Sequence, residues 1–349
     1  MNLLAFDWAL LIEKLVLIAI IITISLVVAM YATYGERKVA AWMQDRVGPN
    51  RAGPFGILQP LADGMKLFFK EEIIPNSSNK FLFILGPCLA MLTAMMTSAI
   101  IPWGSELRIG DRVISLQIAD INIGILYVFG VVSMGVYGIM IGGWASNNKF
   151  SLMAALRGAS QVISYELAMG ISLIALLMLT GSLSLKTITE QQMAPGHYWN
   201  VLYQPLGFLI FFVCALAECN RAPFDLSEAE SELNMGYHQE YSSMKLGFFL
   251  FSEYINMFIS SVIMATLFFG GYDIPFIDES KYNPNLMAWL GVGALMVKAL
   301  IFIFVFMWIR WTLPRFRYDQ LMNLGWKALI PLALINMVIT AVVILKYFN

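Results

Sequence analysis

Six carboxylates stand between Glu218 and Tyr241, at positions 218, 225, 228, 230, 232 and 240, and Arg221 is the only Lys or Arg among them. Ser227 followed three residues later by Glu230 is a capping-box pattern, so a short helix is expected to start there. On it Glu228 and Glu232 would stand one turn apart, where like charges repel. Repulsion combined with partial burial raises at least one carboxyl pKa and makes such a pair titrate as a unit, which creates a proton-holding site. A solvated acidic loop accounts for the same residues, and both readings stand on spacing alone.

A second set of ionisable residues is embedded in apolar sequence: Glu166 in VISYELAMG, Glu218 in CALAECN, Glu253 in FLFSEYINM and Lys298 in ALMVKALIF. A charge at the centre of a membrane helix costs about 2.5–3.5 kcal/mol, so each must face protein or water and find a partner. Carboxylates paired with a lysine in that setting can relay protons; an ion pair tying two helices together uses the same residues. Tyr165, Tyr254 and Asn256 can extend a hydrogen-bonded chain or simply pack between helices.

Other chemistries lack their residues. Cys88, Cys214 and Cys219 form no C-x-x-C pair, and His197 and His238 lie far apart, which argues against a disulfide framework, a Cys-ligated iron–sulfur cluster, a zinc finger or paired-histidine haem ligation. No G-x-G-x-x-G, P-loop, H-E-x-x-H or G-x-S-x-G occurs. The chain is therefore expected to carry no metal, haem or flavin, and any electron it helps to move must come from a partner.

The elements that position these residues are membrane helices. Of 349 residues, 59% are apolar and 13% charged, with a mean hydropathy of +0.71; soluble domains hold about 25% charged residues. A net charge of −1 excludes the basic footprint of a nucleic-acid binder. Apolar runs near 9–34, 80–102, 121–146, 161–181, 203–220, 246–271, 286–309 and 327–348 predict eight spans in a single all-α membrane domain. Fifteen of the 22 Lys and Arg residues fall in the loops after spans one, three, five and seven. Only Lys14, Arg108, Arg112, Lys186, Lys281 and Lys346 fall on the opposite face, so both termini are expected on the outer, periplasmic side. In the first inner segment, 35–79, a Gly/Pro turn region RVGPNRAGPFG precedes Leu61, Met65, Phe68 and Phe69 at helical spacing, with Asp63, Lys66 and Lys70 on the other face. Periodicity fits a helix lying in the membrane interface and equally a loop helix packed on the bundle.

The segments GERKVAAWMQDRVGPNRAGPFGILQPLADGMKLFFKE, GGWASNNKFSLMAALRGASQVISYE, AECNRAPFDLSEAESELNMGYHQEYSSMK and WTLPRFRYDQLMNLGWK closely resemble the family of H subunits of bacterial NADH:quinone oxidoreductase, respiratory complex I. The likeness spans essentially the whole chain. It implies a multi-pass protein of the bacterial inner membrane that couples quinone reduction to proton translocation, in an NAD-dependent complex with NADH-quinone oxidoreductase activity. Its implied partners are peripheral iron–sulfur and quinone-site subunits, adjacent membrane-arm subunits and membrane lipid, with ubiquinone or menaquinone as substrate. The resemblance places Glu36, Arg37, Arg46, Asp63, Lys66, Phe68, Arg221, Phe224, Asp225, Glu228, Glu230 and Glu232 at the quinone chamber, around the 218–245 loop. Glu166, Glu218, Glu253 and Lys298 become the start of a proton relay. Asn234-Met235 where a small-residue pair is usual, Ser243 for glycine and Cys219 for threonine depart from the family pattern without touching a charged position. A homologous anchor subunit of a membrane-bound hydrogenase shares the bundle. A secondary transporter would require repeats that the sequence does not display.

Overall fold

The computed structural model describes residues 8–110, 112–194, 196–228, 230–275 and 282–347. Lys281 lies outside them. Seven helices among the described residues are long and apolar enough to cross a membrane. They are α1 (Trp8–Met43), α3 (Lys80–Thr97, continued by a 3-10 turn to Ile100), α4 (Gly124–Ala145), α5 (Lys149–Thr180), α10 (Ser243–Phe268), α11 (Pro284–Thr312) and the run from α12 (Tyr318–Asn323) through a π-helical turn into α13 (Ile330–Tyr347). The shorter helices are α2 (Gln59–Phe69), α6 (Leu185–Met193), α7 (Asn200–Tyr203), α8 (Pro205–Glu218) and α9 (Glu230–Leu233).

Two departures from the sequence expectation matter. The 203–220 run forms only the 14-residue α8, about 21 Å of helix at 1.5 Å per residue and short of the hydrocarbon thickness. The acidic loop that follows packs back onto the helices, with Phe224, Leu226, Ser227, Leu233 and Tyr237 buried. Secondly, the chain is not wholly helical. Strands β1 (Glu106–Ile109) and β2 (Arg112–Ser115) pair antiparallel, Leu107 opposite Ile114. Four-residue strands joined through Gly110 at φ 62° are too short to stand out between two long apolar runs.

Local signals set the ends. Asn79 accepts hydrogen bonds from the Phe81 and Leu82 amides, and Asn148 accepts one from Phe150, so each caps its helix. α5 stops at Gly181 in the left-handed region, φ 65°. α3 and α4 approach through glycine: a Cβ on Gly86 would stand 2.9 Å from the Gly142 Cα, closer than carbon atoms pack, which is how small residues let membrane helices meet. α10 is buried along nearly its whole length, from Gly247 and Phe249 to Phe268, and forms the axis of the bundle.

Two ends follow from the cross-links. At one, Ser242 accepts from the Ile73 amide (2.9 Å), Tyr241 donates to the Gly142 carbonyl (3.1 Å) and Asn148 donates to Glu240 (2.8 Å). At the other, Lys14 donates to the Gln117 carbonyl (2.8 Å) and Lys186 approaches Glu106 (3.7 Å). We call them the loop end and the hairpin end.

Candidate functional site

The site is built at the loop end from α1, α10, α11 and the loop after α8. Glu36, near the end of α1, is 5% exposed. It is paired with Arg310 from the last turn of α11, stands 3.6 Å from Arg221 Nη1, and accepts a 2.7 Å hydrogen bond from the Tyr254 hydroxyl of α10. The Arg221 guanidinium lies 4.0 Å from the Tyr254 ring centroid, and its Nη2 is 3.8 Å from Glu253 Oε2. Glu253, the neighbour of Tyr254 on α10, accepts from the Tyr237 hydroxyl at 3.3 Å. Burial by itself would lower the Arg221 pKa, but Tyr254 and the carboxylates of Glu36, Glu253 and Glu228 outweigh it and raise the value above that of a free guanidinium. Arg221 is a fixed cation between two buried acids.

The rest of the loop continues the pattern. Arg315, just beyond α11, donates to the Asp225 carbonyl and lies 3.3 Å from its Oδ2; Glu228 Oε1 lies 3.8 Å from His238 Nδ1. Burial first, and Glu228 second, push the Asp225 carboxyl up to about 7, against Arg315 and Arg310. The sign of the consequence follows. The folded chain retains a proton that an unfolded aspartate releases above about pH 4, so this group's contribution to stability is full below that pH and is lost as pH rises through about 7. Infrared titration of the assembled complex is expected to show a protonated carboxyl band disappearing between about pH 6 and 8. Asp225→Asn removes that band and gives a stability advantage over the parent that grows up to about pH 7 and is flat above it. A band unchanged by the substitution would refute the assignment.

A cleft with about 300 Å³ of free volume opens beside this cluster between α1, α2, α10 and α11, lined by Met30, Glu36, Asp63, Gly64, Tyr254 and Arg310 among others. On α2, Leu61, Met65, Phe68 and Phe69 are all exposed, Phe68 at 68%. The apolar face of that helix therefore points away from the bundle. Arg37 pairs with Asp63 at 2.7 Å on the rim. Arg46 donates to Gln44 at 2.7 Å on the surface, and Lys66 is exposed; neither joins the buried cluster.

Further in, two small cavities of about 40 Å³ each share Glu218, Cys219, Asn256 and Thr97. One also reaches Glu253 and Tyr237. Each is large enough for ordered water, which needs about 10–15 Å³ of such volume and polar partners. Glu166 on α5 accepts from Ser133 on α4.

Several sequence expectations are corrected. The capping box does not form: α9 starts at Glu230 and the Ser227 hydroxyl is buried without a hydrogen-bond partner among the described residues. Glu228 and Glu232 consequently do not face each other, because Glu232 reaches out to Arg157 on α5 at 2.7 Å while Glu228 turns toward His238. The side chain of Glu230 lies outside the described residues. Phe224 is core rather than chamber wall, packed on Tyr165 and Phe316. Among the described residues Lys298 pairs with no buried glutamate: it sits at the hairpin end and donates to the carbonyls of Phe269, Gly271 and Asp273 at 2.7, 2.8 and 2.7 Å. A cation there satisfies the orphan carbonyls beyond α10 and the negative end of its dipole. Sequence reasoning misses Arg310, Arg315 and Tyr237. The arginines enter it only through the charge count of the loops, and nothing in their local sequence marks them as partners of residues remote in the chain.

Among the described residues no group of three or more His, Cys, Asp or Glu side chains could hold a metal ion. The sequence matches the NADH dehydrogenase family over residues 15–341. It is 64% identical to an NADH-quinone oxidoreductase H subunit of Cytophaga hutchinsonii over 337 residues, covering 97% of this chain and 98% of that protein. It is 62% identical to the NADH-quinone oxidoreductase H subunit of Flavobacterium johnsoniae, covering 97% of each. The corresponding protein of Thermomicrobium roseum, also an NADH-quinone oxidoreductase H subunit, is 47% identical, again over 97% of each chain.

Proposed function

This chain belongs to the NADH dehydrogenase family, among the H subunits of NADH-quinone oxidoreductase, the membrane subunits of complex I, and we propose accordingly that it admits quinone to its reduction site and passes the resulting charge into the membrane arm. The observation that carries the reading is continuity. The cleft beside α2 ends on Glu36, and from Glu36 an unbroken set of contacts runs through Arg221 to Glu253 and on to the cavities at Glu218.

The apolar side chains of α2 suit a helix lying in the membrane interface, beside which an isoprenoid tail can enter. Reduction of a ubiquinone- or menaquinone-type substrate to the quinol takes two electrons, supplied by an iron–sulfur partner, and two protons. This chain contributes no redox centre; its part is electrostatic. Negative charge arriving at the headgroup raises the proton affinity of nearby carboxyls, and in a buried set of acids sharing one arginine a proton gained at one site alters the others. Glu228 and Asp225 lie at the head of that set, Glu253, Glu218 and Glu166 further along it. The translocase assignment, eight crossings with α8 as the short one, termini on the outer face of a bacterial inner membrane, and contact with both peripheral and membrane-arm subunits complete the reading. The excess of Lys and Arg at the loop end supports that orientation.

Gly64 offers the test. It lines the cleft, and a Cβ there would meet no atom within 4 Å, so Gly64→Leu fills the cleft without displacing the fold. The apparent KM for a long-tailed quinone is expected to rise about tenfold, the equivalent of one lost binding contact. NADH oxidation by a hydrophilic acceptor at the peripheral arm should stay unchanged. Equal KM values for parent and variant would sink the proposed route.

A further inference from the structure

The hairpin end holds a separate polar cleft, with about 380 Å³ of free volume, between the hairpin, α6 and the start of α11. Gln117 lines it and is 2% exposed. Its Nε2 donates to the Ile100 carbonyl at 2.6 Å, while its Oε1 is buried with no hydrogen-bond partner among the described residues. A buried acceptor left unmet is costly, so the geometry calls for a donor in the cleft.

The charges around it are incompletely used. The backbone of Arg108 is clamped on both sides by Asn285, N–H to Oδ1 and Nδ2 to O, each 2.8 Å. That clamp presents its guanidinium to the cleft rim, where it enters no ion pair among the described residues. Lys186 is shared between Glu106 at 3.7 Å and Glu190 at 3.9 Å, longer than charge-assisted hydrogen bonds. One cleft thus offers a free guanidinium together with carboxylate and carbonyl acceptors, the complement of a ligand that carries both an anion and an N–H donor. Its edge is also apolar. Pro284 and Met287 line it, and Leu286, Trp289 and Leu290 on the same turns of α11 are exposed at 53%, 64% and 47%. An exposed Trp together with the exposed Tyr282 is the composition of a membrane–water interface.

We propose that this cleft binds a phospholipid whose headgroup bears a primary ammonium, of the phosphatidylethanolamine class. Its phosphodiester lies on Arg108, its ammonium donates to Gln117 Oε1 and Glu106, and its acyl chains run along the first turns of α11. Donor chemistry separates the candidates: a quaternary choline headgroup has the charge but no N–H for Gln117.

The test uses the complete complex in lipid nanodiscs, with a phosphatidylethanolamine carrying a photoreactive group on its acyl chain, and peptide mapping of 282–290. Labelling is expected there, displaced by excess phosphatidylethanolamine and not by phosphatidylcholine. Arg108→Gln should reduce it about tenfold, the loss of one charge-assisted contact, and Gln117→Met several-fold, with quinone reductase activity retained. Should Gln117→Met lower the yield of complex, Arg108→Gln decides alone, since its side chain stands on an exposed strand. Equal displacement by phosphatidylcholine, or labelling indifferent to Arg108→Gln, overturns the proposal. Displacement by glycerophosphoethanolamine as effective as by the lipid would assign the cleft to a soluble ligand and overturn it too.

Discussion

Replacing Arg221 by methionine is expected to lower NADH:quinone turnover by roughly a hundredfold or more, the rate equivalent of the roughly 3–5 kcal/mol that follows when one partner of a buried ion pair is removed. Methionine keeps much of the aliphatic stem and so preserves packing; what disappears is the charge. Glu36 would retain Arg310, whereas Glu253 has no other arginine or lysine within ion-pair distance among the described residues. Glu253 would then be left buried with no cation beside it, which cuts the link between the cleft and the inner cavities. Lysine should restore little. One ammonium cannot reach Glu36 and Glu253 together across contacts of 3.6 and 3.8 Å, and it lacks the planar face that Arg221 lays on Tyr254. The measurement is turnover with quinone beside turnover with a hydrophilic acceptor, normalised to assembled complex on native gels. Parental quinone turnover in the methionine variant would remove Arg221 from the mechanism.

The second large effect is expected from Gly236→Val. Gly236 has φ 79°, and a Cβ there would stand 2.2 Å from the Ser227 carbonyl oxygen and 2.8 Å from the Glu228 Cα. Both are backbone atoms, so no rotamer change relieves the overlap. The left-handed conformation adds roughly 1–2 kcal/mol for a residue with a side chain. This contact presses 236–238 against 227–228: the Tyr237 amide donates to Ser227 O at 3.2 Å, and the same fold-back sets His238 beside Glu228 and Tyr237 beneath Glu253. Forcing the two sides of the loop apart dismantles all three placements at once. Quinone turnover should fall by roughly a hundredfold, and the near-neutral titration of Asp225 should disappear with the packing that buries it. Gly170→Ala is the control, because a Cβ at that helical position meets nothing within 4 Å and alanine is the better helix former. A valine variant that retained turnover and titration would show that the loop does not need its fold-back.

Much of the site is legible in the sequence because embedding a charge among apolar residues is costly enough to demand a reason. Glu218 and Glu253 stand out on that ground, and both line the inner cavities. The acids of the 218–245 loop stand out by density, yet spacing gives the wrong pairing: helical periodicity joins Glu228 to Glu232, whereas α9 begins only at Glu230, so that Glu232 reaches Arg157 and Glu228 lies beside His238. Lys298 needs a partner, as its apolar surroundings require. That the partner is the backbone at the end of α10 cannot be seen in sequence, since any carbonyl is available to a lysine and only packing chooses which ones come near.

Composition and hydropathy by themselves determined that this is a helical membrane protein, where nearly all its spans lie and which residues are too costly to be incidental, because burial in lipid acts on each residue type independently of its neighbours. The motifs likewise determined the family. Tertiary structure alone decided that Glu36, Arg221, Tyr254, Glu253 and Arg310 form one cluster, that Arg315 joins Asp225, that α8 stops short, and that a two-stranded hairpin lines a polar cleft at the far end. Those outcomes depend on contacts between segments remote in the chain, where free energy belongs to the pair and its geometry rather than to either residue.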